Sequence, residues 1–123
     1  MPIRNILVVE DSPTDLKYLT DILVRKGYHV STAETGEEAL AKAKQLQPDL
    51  VLMDIVLPGQ NGYQATRELS KDANTKHIPV ILVTTKDQDT DRMWGLRQGA
   101  KAYITKPFSE TELSELIAQY LAG

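Results

Sequence analysis

Leu50-Val51-Leu52-Met53-Asp54 is the stretch that most limits what this chain can become. Four consecutive apolar residues without alternation suggest a strand covered on both faces, the pattern of a parallel sheet flanked by helices. The run ends in a carboxylate. In open α/β sheets the carboxyl ends of the strands border the ligand crevice, so Asp54 is delivered from a rigid core to the mouth of a candidate site.

The remaining segments fall into step with that strand. Ile3 to Val9 is a second apolar, β-branched run, and it leads straight into Glu10-Asp11. Ser12 is a good N-cap and Pro13 suits the first helical position, where its missing N–H costs nothing; Leu16, Leu19 and Leu23 then mark a buried stripe. Tyr28 to Ala33 reads as a shorter strand. Thr35 and Glu38 have capping-box spacing, and the helix they open carries Ala39, Leu40, Ala43 and Leu46 on its apolar side before Pro48 stops it. Leu57 to Gly62 reads as a loop and Tyr63 to Lys71 as a helix. Pro79 to Thr84 is a further buried strand, ending in the hydroxyls of Thr84 and Thr85.

Asp87 to Gln98 is read as a helix despite Gly95, which costs about 1 kcal/mol relative to Ala; a close approach to the sheet explains such a glycine. Ala102-Tyr103-Ile104-Thr105 is a fifth strand, with Lys106-Pro107 at its end. Ser109 and Glu112 form a second capping-box pair, opening a helix with Leu113, Leu116, Ile117, Tyr120 and Leu121 on one face. Five strands alternating with five helices, joined by right-handed crossovers, predict an α/β fold with a doubly wound five-stranded parallel sheet.

At 123 residues, 41% hydrophobic and 25% charged, the chain is expected to form one domain over residues 1–123. It shows no membrane-length apolar run and no signal peptide at Met1-Pro2-Ile3-Arg4, so a cytoplasmic location without membrane insertion is expected. The absence of cysteine excludes disulfides, thiolate metal sites and cysteine nucleophiles, and His29 and His77 alone do not make a zinc site. A net charge of −3 with interspersed signs speaks against nucleic acid as a partner.

In the predicted sheet, Glu10 and Asp11, Asp54, Thr84 and Lys106 all stand at strand ends on one edge. Three carboxylates so close repel unless a hard divalent cation neutralises them. Mg²⁺ fits that need, because it takes one or two protein carboxylates and fills its octahedron with water or phosphate oxygens. A carboxylate beside Mg²⁺, with an ammonium and a hydroxyl opposite, suits phosphoryl transfer to the carboxylate, and Asp54 is the natural nucleophile.

Glu10-Asp11-Ser12-Pro13, Val51 to Asp54, Leu57-Pro58-Gly59 through Gly62, Thr84-Thr85, Gly99-Ala100 and Tyr103 to Pro107 resemble, in order and spacing, the receiver domain of two-component response regulators. The resemblance spans essentially the whole chain. It implies the CheY-like, flavodoxin-like strand order 2-1-3-4-5 and phosphorylation of Asp54 by a histidine kinase. It further implies a Mg²⁺ site built from Asp11, Asp54 and the backbone carbonyl of Val56, with Glu10 acting through water. Lys106 would contact the phosphoryl group, Thr84 would move toward it, and Tyr103 would be a rotameric switch. Pro107 is the implied cis-proline, aiming the Lys106 ammonium inward.

Thr84 to Gln88, Asp91, Trp94-Gly95, Arg97 to Ala100 and Tyr63 to Arg67 are similar to stand-alone receivers of type IV pilus twitching motility. That likeness implies a CheA-like kinase as phosphodonor and a signal leaving by protein contact through the face of the fourth helix, fifth strand and fifth helix. With no output domain expected, the chain acts as an activator or as a phosphate sink. It is not expected to be an enzyme beyond catalysing its own phosphorylation and dephosphorylation. A haloacid-dehalogenase-like phosphatase is disfavoured because Val56 stands where that class places a second Asp. An FMN carrier is disfavoured because Glu10 and Asp11 would repel its phosphate. A non-phosphorylated interaction module leaves the acids, hydroxyl and lysine unexplained. Trp94 is either a core residue or, if exposed, a partner contact.

Overall fold

A computed structural model of the chain describes residues 4–121. Among these, strands and helices alternate as β1 (Asn5–Val9), α1 (Pro13–Arg25), β2 (His29–Ala33), α2 (Gly36–Leu46), β3 (Leu50–Met53), α3 (Gly62–Lys71), β4 (Val80–Thr84), α4 (Asp89–Arg97), β5 (Ala102–Thr105) and α5 (Glu110–Leu121). The strands form one parallel sheet in the order β2-β1-β3-β4-β5, the doubly wound, CheY-like arrangement. Ile3, where the first strand was expected to begin, lies outside the described residues.

Alternate residues of each central strand feed two cores, one on each face of the sheet. Leu7, Val9, Val51, Met53 and Leu82 pack with Ala39 and Ala43 of α2 and Ala65 and Leu69 of α3. Ile6, Val8, Leu52, Ile81 and Val83 pack with Leu19, Ile22 and Leu23 of α1 and Leu113 and Ile117 of α5. Each fully buried aliphatic side chain contributes about 1.5–3 kcal/mol, and β1, β3 and β4 are buried along nearly their whole length. Their register sets Val9 beside Met53 and Met53 beside Leu82. The residues that follow these strands therefore emerge together.

Three local expectations change. Thr35 caps α2 by accepting from the Glu38 N–H at 3.0 Å, but the Glu38 carboxylate reaches past the cap to the Glu34 N–H, 2.9 Å away, so the box is not reciprocal. Leu46 is largely exposed at the end of α2 rather than part of its buried side. Helix α3 starts one residue early, at Gly62, because Asn61 and Gln64 form a capping box of their own, with bonds of 3.0 and 3.2 Å. The Ser109–Glu112 box forms in both directions.

Gly95 packs α4 against the sheet. A Cβ there would lie 2.6 Å from Leu82 Cδ1 and 3.3 Å from the Tyr103 ring, so the helix tolerates a poor helix former to approach β4 and β5.

Candidate functional site at the carboxyl edge of the sheet

Main-chain hydrogen bonds place the strand-end residues. The Asp54 N–H donates to the Val9 carbonyl at 3.0 Å, the Glu10 N–H to Ala33 at 3.0 Å, and the Lys106 N–H to Thr84 at 2.8 Å. Each residue that follows a strand is thus still tied to its neighbour. The Lys106–Pro107 peptide bond is cis.

Four side chains meet above this edge. Lys106 Nζ lies 2.7 Å from Glu10 Oε2, 2.9 Å from Asp54 Oδ2 and 2.9 Å from Asp15 Oδ2. Glu10 is 2% exposed and Asp54 8%. The Glu10 Oε1 accepts from the Ser12 N–H at 3.1 Å, and Asp54 Oδ1 from the Val56 N–H at 3.2 Å. Thr84 is fully buried beside Asp54, and its Oγ1 accepts from the Lys86 N–H at 3.4 Å.

The electrostatics follow from burial and one shared cation. Burial pushes Glu10 up to about 7, with the neighbouring Asp54 adding to the rise against the pull of Lys106. Burial also disfavours the Asp54 carboxylate, but the bonds from Lys106, Glu10 and Thr84 outweigh it and hold its pKa below the ordinary value. For Lys106 burial works against the ammonium, and the bonds to Glu10, Asp15 and Asp54 overcome it, so its pKa is raised. Of the two buried acids, Asp54 is therefore the one whose carboxylate form is favoured and Glu10 the one whose ionisation burial opposes.

Asp11 is exposed and stands outside the Lys106 cluster. Val56 is exposed too. Among the described residues no three His, Cys, Asp or Glu side chains form a ready-made metal cage. The donor set nevertheless suits Mg²⁺. Glu10, Asp15 and Asp54 crowd a single ammonium, all available donors are hard oxygens, and this ion takes most of its ligands from water.

The structure adds Asp15, which no motif in the sequence marks as a site residue. An acid in the first turn of a helix ordinarily complements the helix dipole; here it also reaches Lys106. Beside it, a cavity of about 310 Å³ is lined chiefly by Asp15, Tyr18, Thr85, Lys106 and Phe108.

Tyr103 lies on the edge strand yet is only 6% exposed. Its hydroxyl donates to the Lys86 carbonyl at 2.7 Å, and Arg92 stacks 5.2 Å from its ring centroid while donating to its carbonyl at 3.2 Å. Trp94 is 49% exposed on α4, with Met93 and Leu96 also exposed.

A parallel five-stranded sheet with an acidic pocket, a buried hydroxyl and a lysine at its carboxyl edge defines a receiver, and the model of the response regulator receiver domain family matches residues 6–118. The chain belongs to that family. Protein PilH of Pseudomonas aeruginosa is 57% identical to it over 118 residues, covering 96% of this chain and 98% of PilH. A response regulator structure from Chloroflexus aurantiacus superimposes with a TM-score of 0.95 at 31% identity, covering 99% of this chain and 100% of that one. The receiver domain of the P. aeruginosa sensor histidine kinase PA1611 does so with a TM-score of 0.92 at 32% identity, again over 99% and 100%, and that structure holds a magnesium ion in its active site cleft. Among the described residues no helix is long and apolar enough to cross a membrane.

Proposed function

We propose that this receiver takes a phosphoryl group onto Asp54 from the phosphohistidine of a CheA-like kinase and signals by protein contact in type IV pilus motility. The observation that carries the chemistry is the Asp54 carboxyl group, nearly buried just after β3 with Lys106 Nζ 2.9 Å away. An Asp54 oxygen attacks phosphorus as the N–P bond of the donor breaks; the imidazole leaves and is protonated from solvent. Lys106 turns one of its protons to a phosphoryl oxygen, and the Thr84 hydroxyl donates to another. Asp11, Asp54 and the Val56 carbonyl would be the groups that hold Mg²⁺, and Glu10 would act through water. When bound, the ion supplies the positive charge that offsets the carboxylates and the phosphoryl oxygens.

The pilus assignment rests on the likeness to PilH over nearly the full length of both chains, and it carries with it a cytoplasmic setting. For signal output, the buried Tyr103 is one of two arrangements whose balance responds when Thr84 is drawn to the phosphoryl group. Exposed Met93 and Trp94 on α4 supply apolar contact area on the α4–β5–α5 face for a target protein.

Intact-protein mass after incubation with acetyl phosphate tests the reading. A gain of one phosphoryl group that depends on Mg²⁺ is expected; its absence under rapid, cold sampling counts against it. A second expectation concerns stability. Mg²⁺ at one hundred times its Kd raises the unfolding free energy by about 2.7 kcal/mol, by mass action on the folded state alone. Thermal unfolding in Mg²⁺ against EDTA measures this. Asp11→Ala loses most of the increment, and an unchanged increment removes Asp11 from the metal site.

A further inference from the structure

Lys106 carries three ammonium protons, and three carboxylates take them. These partners differ in what phosphorylation does to them. Asp54 gives up its negative charge when one of its oxygens bonds to phosphorus, and its hold on the ammonium weakens. Glu10 is buried against Asp54, and its ionisation responds directly to the charge that Asp54 carries. Asp15 belongs to neither group: it sits in the first turn of α1, with its side chain 42% exposed, and reaches Lys106 from the cavity side. Its bond to Lys106 is therefore unaffected by the bond changes at Asp54.

We infer that Asp15 is a positioning residue for phosphoryl transfer, anchoring the Lys106 ammonium over Asp54 before and during the reaction. This rests on the phosphoryl-transfer reading above. A lysine side chain has four rotatable bonds whose freedom must be lost before its charge can stabilise a transition state. Three fixed acceptors at 2.7–2.9 Å remove that freedom in advance, so reorganisation at the moment of transfer is small. As the donor's P–O or P–N bond breaks and the Asp54 O–P bond forms, Lys106 exchanges Asp54 Oδ2 for a phosphoryl oxygen. Asp15 keeps the ammonium within reach during that exchange. The carboxylate costs little in affinity for the anionic donor because it is half exposed and screened by solvent.

The test compares wild type, Asp15→Asn, Asp15→Glu, Lys106→Met and the Asp15→Asn/Lys106→Met double variant. Adduct formation from acetyl phosphate is followed by intact mass, and the ¹⁵N signal of the Lys106 ammonium is recorded in EDTA without donor. Asp15→Asn is expected to slow adduct formation about threefold to tenfold, as for loss of one partly exposed charge-assisted bond. Asp15→Glu restores the rate, and the Asn substitution has no further effect once Lys106 is gone. The Lys106 signal of Asp15→Asn broadens through faster exchange with water. A wild-type rate in Asp15→Asn, or equal slowing in the Lys106→Met background, overturns the assignment. If wild type itself takes no phosphoryl group, the broader reading fails, and an unchanged ammonium signal in Asp15→Asn then overturns the anchoring role by itself.

Discussion

Asp54→Asn is expected to abolish the phosphoryl adduct completely while leaving the fold at least as stable as wild type. The loss follows from chemistry: the amide has no anionic oxygen to attack phosphorus. The stability follows from charge. Glu10, Asp15 and Asp54 share the single ammonium of Lys106, and burial beside Asp54 already pushes Glu10 up to about 7. Removing one negative charge leaves Lys106 with two carboxylate partners and relieves repulsion within the buried pair. The amide oxygen can still accept from the Val56 N–H, now 3.2 Å from Asp54 Oδ1. An unfolding free energy unchanged or raised by up to about 1 kcal/mol is expected in urea titrations in EDTA. A persistent adduct would mean that another residue is the acceptor, and a stability loss above about 2 kcal/mol would mean that Asp54 serves chiefly as a structural partner of Lys106.

Gly62→Ala is expected to have the largest effect on stability. A Cβ at this position would stand 2.2 Å from the Asp54 carbonyl oxygen, 2.7 Å from Ile55 Cα and 2.9 Å from the Asp54 carbonyl carbon. All three are main-chain atoms, so no side-chain rotation relieves the clash. The Gly62 N–H also donates to the Ile55 carbonyl at 2.8 Å, which fastens the start of α3 to the segment just after Asp54. Alanine gains at most about 1 kcal/mol from lower unfolded-state entropy, whereas backbone overpacking costs about 3 kcal/mol or more. Against a domain stability of about 5–15 kcal/mol, this is a large fraction. Because two of the three displaced atoms belong to Asp54 itself, the carboxylate shifts relative to Lys106 and adduct formation falls with stability. Urea unfolding monitored by far-UV circular dichroism checks the first part; a change below about 1 kcal/mol would show that α3 yields without moving β3.

These expectations draw on features of unequal legibility in the amino-acid order. The apolar runs of β1, β3 and β4 identified a sheet covered on both faces, since only a strand shielded twice has no polar side. The acids, hydroxyl and lysine that end those runs located one edge of that sheet, because parallel strands finish on the same side. Gly95 also announced a close approach, and its site leaves 2.6 Å to Leu82 for any Cβ. The Asn61–Gln64 box was concealed inside a segment whose Pro and Gly content spelled loop.

Asp15 shows most clearly where reading along the chain stops. By position it is an ordinary first-turn acid, and its bond to Lys106 joins residues 91 apart. Glu10 and Asp54 lie 96 and 52 residues from the same lysine. The burial of Tyr103 on an edge strand and the exposure of Trp94 on α4 were equally undecided, because residue type sets a preference for burial and not the presence of a neighbour. Strand identity and the doubly wound class follow from hydrophobic patterning, which is local and repeats along the chain, whereas the strand order is what the family resemblance implies. The division of one ammonium among three carboxylates was decided by tertiary packing alone, because hydrogen bonds of 2.7–2.9 Å depend on how α1 and the end of β5 are held over β3.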